Sequence, residues 1–355
     1  MAIPSPYTPG SAPRVFSGRH EQLDAAQRDL ALVATYGRFI GRIRIETGIR
    51  GVGKTSLLNA VRQEAGQAGF VTIFATARQD ESLIAQLTEA LRRGLDQIGI
   101  SAAAAKDVRN RIERMSIEVG IGVIKAGVQL AARPSTAGAA ATAFSDLLQM
   151  ASSAARDRGS AGLCLLIDEI QSAPPADLRT IAYAWQELSA ATGDSAAVLF
   201  AAGLPNTPDV LTQAATFSER FAFRSLERLS DGEAYAVLLD AATAVEVNWQ
   251  PRAARRVVDL AQGYPYYLQL FGDAMWQVAR PTTGATLTMR HYERAAALVS
   301  KDMAGMFRAR WSRATVAERR ILSVMAELGG ETIRRADVAE RLAVHSNDLS
   351  VARRG

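Results

Sequence analysis

One stretch of eight residues constrains this chain more than any other. Gly48-Ile-Arg-Gly-Val-Gly-Lys-Thr55 fits the pattern G-x-x-x-x-G-K-[ST]. Upstream, Phe39-Ile-Gly-Arg-Ile-Arg-Ile-Glu46 alternates apolar and polar residues and predicts a strand. Downstream, Ser56-Leu-Leu-Asn-Ala-Val-Arg62 has helical spacing. A glycine-rich turn between a strand and a helix can aim backbone N–H groups at a phosphate, and the helix N-terminus adds a favourable dipole. Lys54 then suits the β- and γ-phosphates of ATP, or the β-phosphate of ADP, as a point charge, and Thr55 suits Mg2+. The lysine is expected to face solvent in the empty site. Gly48, Arg50, Gly51, Val52, Gly53, Lys54, Thr55 and Ser56 form the candidate nucleotide-binding set. Of 41 lysines and arginines, only Lys54, Lys106, Lys125 and Lys301 are lysines, so the placement of Lys54 goes against the bias of the chain. A glycine-rich turn that matches by accident is the alternative.

A second site argues against accident. Leu163-Cys-Leu-Leu-Ile-Asp-Glu169 is an apolar run that ends in two carboxylates. Such a run predicts a buried parallel strand whose end reaches the ligand-bearing edge of a sheet. Asp168 suits Mg2+ as a Walker B aspartate, and Glu169 suits the activation of water as a general base.

With 355 residues the chain has room for two or three domains. Cys164 is its one cysteine, which excludes a disulfide framework and a thiolate metal cluster. No secretion signal is recognisable, and the apolar stretch from Ile121 to Ala132 is too short to span a bilayer. A cytoplasmic protein without a membrane partner is expected. The net charge of +5 is compatible with nucleic acid, but it is modest for this length and no lysine-rich tract concentrates it.

Residues 1–13, with several prolines and serines, predict a disordered arm. Val15-Phe-Ser-Gly-Arg-His-Glu21 follows and opens a helix to about Tyr36. A phenylalanine, a Gly-Arg pair and an acidic residue shortly before the phosphate loop resemble the entry motif of STAND and Orc1/Cdc6-like ATPases, within the wider AAA+ group. The resemblance implies that Phe16 and Arg19 lie beside the adenine base. Asp-Glu-x-Gln, completed by Gln171, also resembles the STAND group. Further strands are predicted at Phe70–Ala75 and Ala197–Ala202, and helices at Ser82–Ile98, Thr142–Arg158 and Leu178–Ala191. The alanine-rich segment 101–140 resembles the variable insertion of STAND-type ATPases. AAA+ relatives carry a polar sensor residue where this chain has Ala202-Gly-Leu-Pro205, and Asn206 is the nearest amide. Arg220 stands where many of them place an arginine finger, with Arg224 behind it.

Ser230-Asp-Gly-Glu233 predicts a capping box, and helices without a strand pattern follow to about Ala304. This segment resembles the AAA+ helical lid. Its Gly263-Tyr-Pro265 resembles the lid motif whose proline packs near the nucleotide. Three short helices, Ala314–Leu328, Arg335–Leu342 and one beginning at Ser346, resemble a winged helix-turn-helix that stops before its wing.

The expected fold is an α/β P-loop NTPase of AAA+/STAND type, a parallel sheet with a helical lid and a partial winged helix. The expected segments are an arm (1–13), an ATPase core (14–229), a lid (230–305) and the partial winged helix (306–355). The expected function is an ATP-binding, slowly hydrolysing regulatory switch of STAND type, with a protein partner or self-association. The alternative is an Orc1/Cdc6-like DNA-binding ATPase of replication or recombination, with DNA as partner. A nucleotide-binding scaffold with negligible turnover is the third reading.

Overall fold

The computed structural model describes residues 2–118, 124–125, 128–129, 137–190, 195–329, 333–345 and 349. Five parallel strands form the central sheet: β1 (Arg44–Thr47), β2 (Phe70–Thr76), β3 (Gly162–Asp168), β4 (Ala197–Gly203) and β5 (Ala222–Ser225). Their order is β2-β3-β4-β1-β5. All seven residues of β3 and of β4 are buried, as central strands covered by helices on both faces must be.

Helices α1 (His20–Tyr36) and α2 (Lys54–Gln67) cover one face, where Leu30, Val33, Leu57 and Val61 pack on Leu166 and Phe200. On the other lie α3 (Leu83–Ile98), α4 (Ala102–Glu118), α5 (Ala137–Arg156) and α6 (Pro175–Ala190), around Leu91, Phe144, Leu147 and Trp185. A short helix, α7 (Thr207–Ala214), follows β4. Thr47 pairs with Gly203, and Thr76 pairs with Asp168. The carboxyl ends of β1, β3 and β4 therefore meet at one edge, where open α/β sheets bind ligands.

The strand expected over residues 39–46 is shorter than its pattern. Upstream of Arg44 its backbone is tied to the sheet by the Ile40 N–H, which donates to the Ala197 carbonyl (3.0 Å), and by the Ile43 carbonyl, which accepts from the Ala222 N–H (2.8 Å). Its alternation persists because Phe39 packs at a tilt against Trp185 and Ile40 faces the α1–α2 side. Helix α5 begins at Ala137, ahead of the expected Thr142. Most of the alternating stretch after Glu118 lies outside the described residues.

The expected disordered arm is a correction. Tyr7 is 2% exposed, and its ring packs edge-on against Trp249 and Trp276, at centroid distances of 6.3 and 5.8 Å. Its hydroxyl donates to the Leu238 carbonyl (2.6 Å) and accepts from Trp249 Nε1 (2.8 Å). The Ile3 carbonyl accepts from Trp276 Nε1 (2.8 Å), and Thr8 N–H donates to Gln269 Oε1 (2.9 Å). One buried aromatic with both polar valences met fixes a segment whose composition alone reads as disorder.

The arm docks on α8 (Asp231–Thr243) and α10 (Pro265–Ala279), which with α9 (Pro251–Ala261) are the expected lid helices. Ser230 and Glu233 form the expected capping box. A two-residue parallel pair, Asn248–Trp249 with Thr286–Leu287, appears where no strand was expected.

The chain divides into two compact units, Met1–Met289 and Arg290–Gly355. The boundary expected at 305/306 falls inside α11 (Met289–Arg313), which runs through it unbroken. In the second unit α12 (Val316–Leu328) starts at a Thr315–Glu318 capping box and is followed by α13 (Arg335–Leu342). The helix expected from Ser346 lies, apart from Leu349, outside the described residues. Among the described residues no helix is long and apolar enough to cross a membrane.

Candidate functional site

The loop between β1 and α2 takes its shape from two glycines. Gly51 (φ 85°) and Gly53 (φ 98°) hold left-handed backbone that a side chain would strain, and Gly53 is the N-cap of α2. Lys54 opens the helix. Its ammonium is buried and donates to the carbonyls of Gly48 (2.8 Å) and Ile49 (3.2 Å). The expectation that Lys54 faces solvent is therefore corrected: the loop it closes supplies its acceptors. Burial lowers the lysine's proton affinity, and the charges of Glu169 and Asp168 partly restore it.

Asp168 ends β3 beside this loop. Its Oδ2 accepts from Thr55 Oγ1 (2.7 Å) and its Oδ1 from the Glu169 N–H (3.0 Å). Burial raises the carboxyl above its ordinary range, against the pull of these two bonds. Glu169 itself sits at φ 51°, a left-handed position that is costly for a residue with a side chain. Its Oε2 accepts from Gln171 Nε2 at 2.6 Å. The Gln171 carbonyl oxygen in turn accepts from the Leu204 N–H (3.0 Å), just beyond β4. Asn206 is instead the exposed N-cap of α7 and does not line the site.

These elements border a cavity of about 420 Å³. Arg50, Gly51, Val52, Gly53, Lys54, Thr55 and Ser56 form its floor, and Glu169 reaches it from β3. Phe16 and Arg19 line it from the entry segment, and Pro265, Tyr266 and Gln269 from α10. Pro265 Cγ lies 3.6 Å from where a Cβ on Gly53 would sit, so the lid proline rests on the phosphate loop. Arg19 is buried, and its Nη2 donates to the carbonyls of Val52 (3.1 Å) and Glu227 (2.6 Å). It braces the loop through the Val52 carbonyl.

Two expected site residues stand outside the cavity lining but act on it: Gly48 through its bond to Lys54, and Asp168 through Thr55. Arg220 is apart. It is exposed at the end of a 3-10 turn, its carbonyl accepting from Arg42 Nε (3.1 Å), and Arg224 is exposed on β5. Sequence reasoning missed the arm, whose Thr8, Gly10 and Pro13 also line the cavity. Tyr266 and Gln269 lay within the stretch already singled out by Gly263-Tyr-Pro265.

Among the described residues no group of three or more His, Cys, Asp or Glu could hold a metal by itself. A hydroxyl bonded to one carboxylate beside a phosphate loop is the donor set that suits Mg2+, which takes few protein ligands and completes its shell with phosphate and water.

Residues 15–201 match the model of the AAA ATPase domain, and residues 304–355 match that of a domain of unknown function. Among solved structures the chain is similar to the Aeropyrum pernix ORC2 protein in its ADP form, with 14% identity and a TM-score of 0.54 over 94% of this chain and 81% of that one. It is similar to the same protein in its ADPNP–ADP complexes, with 15% identity and a TM-score of 0.51 over 97% and 82%. The A. pernix ORC1 protein in complex with DNA gives 16% identity and a TM-score of 0.50 over 97% and 84%. At these identities the likeness is one of fold. No curated protein matches the chain.

Proposed function

The chain belongs to the AAA ATPase domain family, and on that premise we propose that it is an ATP-binding, slowly hydrolysing regulatory switch of STAND type. The observation that carries this reading is the convergence of the phosphate loop, Glu169 and the lid proline Pro265 on one cavity. Loop N–H groups would take the phosphates, and Lys54 would exchange its bonds to Gly48 and Ile49 for phosphate oxygens. Thr55 and Asp168 would hold Mg2+, which when bound neutralises phosphate charge. Glu169 would accept a proton from water as the water oxygen bonds to the γ-phosphorus. The bond from that phosphorus to the bridging oxygen then breaks, leaving ADP and phosphate.

The switch would lie in the lid. Pro265 and Tyr266 meet the loop, while Gly18 and Ser17 meet α8 through Glu233 and Asp240. Nucleotide would therefore be gripped by elements that also hold the lid, and loss of the γ-phosphate would loosen that grip. Phe16 is the base-facing candidate of the entry segment. Arg220, exposed and away from its own loop, would reach a neighbouring subunit's nucleotide. The expected effector is a protein partner or a second copy.

Hydrogen exchange over residues 263–272 tests this reading. Slower exchange with ATP and Mg2+ than with ADP is expected. Equal exchange in both states contradicts the switch.

A second reading is an Orc1/Cdc6-like DNA-binding ATPase. The fold likeness to an ORC1 protein solved with DNA and the net charge of +5 favour it. A winged helix in 306–355 would then be its reading head. Affinity for duplex DNA that falls steeply with salt would support it over the switch.

A further inference from the structure

Gln171 makes contacts that the reading above leaves unused. It stands on the 3-10 turn Ile170–Ser172, directly after the strand that delivers Asp168 and Glu169. Its side-chain amide spans two elements. Nε2 donates to Glu169 Oε2 at 2.6 Å, and Oε1 accepts from the Leu204 N–H at 3.0 Å. The orientation of the amide is dictated by these partners. A backbone N–H only donates and an ionised carboxylate only accepts, so the oxygen must face Leu204 and the nitrogen Glu169. Thr207 closes the pocket around the oxygen: its Oγ1 lies 3.4 Å from Gln171 Oε1, and it bonds the Leu204 carbonyl at 2.6 Å.

Gly203 makes room for this arrangement. A Cβ there would overlap Thr207 Oγ1 and come within 2.7 Å of Gln171 Oε1. The end of β4 therefore offers no side chain, and the space is taken by an amide reaching over from the neighbouring strand's turn. Glu169 needs such support. Its backbone is held in a left-handed conformation, and its side chain is half-buried at the cavity wall. The bond from Gln171 is the described side-chain contact to its carboxylate.

We propose that Gln171 is a positioning residue for hydrolysis, fixing the carboxylate of Glu169 against the end of β4 in the role that a strand-end side chain would otherwise fill. The inference rests on the reading of Glu169 as the base. Gln171 touches neither nucleotide nor water in this account. It sets the direction in which Glu169 points, and it ties that direction to the β4–α7 junction, so a shift of Leu204 moves the base.

Two variants of the full chain test this, with Glu169→Gln as control. Gln171→Met keeps the length of the side chain and removes both polar ends. The expected result is a fall in kcat of about 10²-fold, the scale of a misplaced catalytic group, with ATP affinity within about twofold of the parent and a melting temperature within a few degrees of it. Gln171→Glu keeps the acceptor for Leu204 and replaces the donor with a second carboxylate. A second negative charge in place of the donor repels Glu169 instead of holding it. The kcat of this variant is expected to fall at least as far as that of Gln171→Met, with ATP affinity again within about twofold of the parent. Lys54 and Asp168, whose charges also bear on Glu169, are unchanged in these variants. Parental kcat in Gln171→Met, with Glu169→Gln inactive, overturns the inference alone. Equal turnover in Glu169→Gln and the parent overturns the role of Glu169 and this inference with it. Parental kcat in Gln171→Glu also counts against Gln171 as the donor.

Discussion

Thr55 Oγ1 donates to Asp168 Oδ2 at 2.7 Å, joining the first turn of α2 to the end of β3 across 113 residues of sequence. The two side chains expected to share a metal already share a proton. The bond ties the carboxylate to a hydroxyl that lines the cavity and favours its charged form against its own burial.

That burial has a consequence for pH. A carboxyl raised above its ordinary value of 3.8 stabilises the fold fully below that value, and the contribution is lost as pH rises through the folded value. Without nucleotide, Asp168→Asn should therefore melt higher than the parent near neutral pH, and the difference should close on acidification. Metal-assisted binding runs the other way. It needs the ionised carboxylate, so Mg·ATP affinity should fall as pH drops through the raised value, and Asp168→Asn should lose the Mg2+ dependence. Thermal melts between pH 5 and 8, with and without Mg·ATP, check both. A lower melting temperature for Asp168→Asn at neutral pH would sink the argument.

The parts of the site legible in sequence are those made by neighbours in the chain. Glycines at 51 and 53, a lysine and a hydroxyl at the start of α2, and an apolar run ending in Asp168-Glu169 each carry their geometry locally. The same holds for Pro265 at the start of α10 and for the Ser230 capping box. What was not legible depends on distant partners. Tyr7 meets Leu238 and Trp249, 231 and 242 residues away, so no local pattern announces an ordered arm. Arg19 also donates to the Val52 and Glu227 carbonyls, and backbone atoms have no signature in sequence. Gly203 read as a missing sensor because the amide that uses its space comes from Gln171.

The arm should matter to stability. Tyr7→Phe leaves the Leu238 carbonyl and Trp249 Nε1 without their partner, at a cost of about 1–3 kcal/mol. Tyr7→Ala also empties the slot above Gly272 and should cost about 3–5 kcal/mol. Denaturant unfolding measures both. An alanine variant as stable as the parent would return residues 2–13 to a disordered tail.

Arg220 is predicted to act across a subunit boundary in an oligomeric form. Arg220→Ala should bind ATP normally and hydrolyse slowly, since an arginine supplied to the transition state is worth about 10³–10⁵ in rate in related transfers. Mixed with Lys54→Ala it should regain activity, because one interface then pairs an intact loop with an intact arginine. Parental turnover of Arg220→Ala in a preparation shown to be oligomeric would leave Arg220 an ordinary surface residue.

Calorimetric titration of Mg·ATP into the full chain and into Lys54→Ala is the most direct test of the site as a whole. Lys54 donates to two loop carbonyls at the cavity floor and is the charge placed to exchange them for phosphate oxygens. The parent should bind with one site per chain. Lys54→Ala should bind about 10²-fold more weakly, the loss of charged hydrogen bonds, while melting within a few degrees of the parent. Equal affinity in the two proteins, or no binding by the parent, would contradict the assignment of this cavity to ATP.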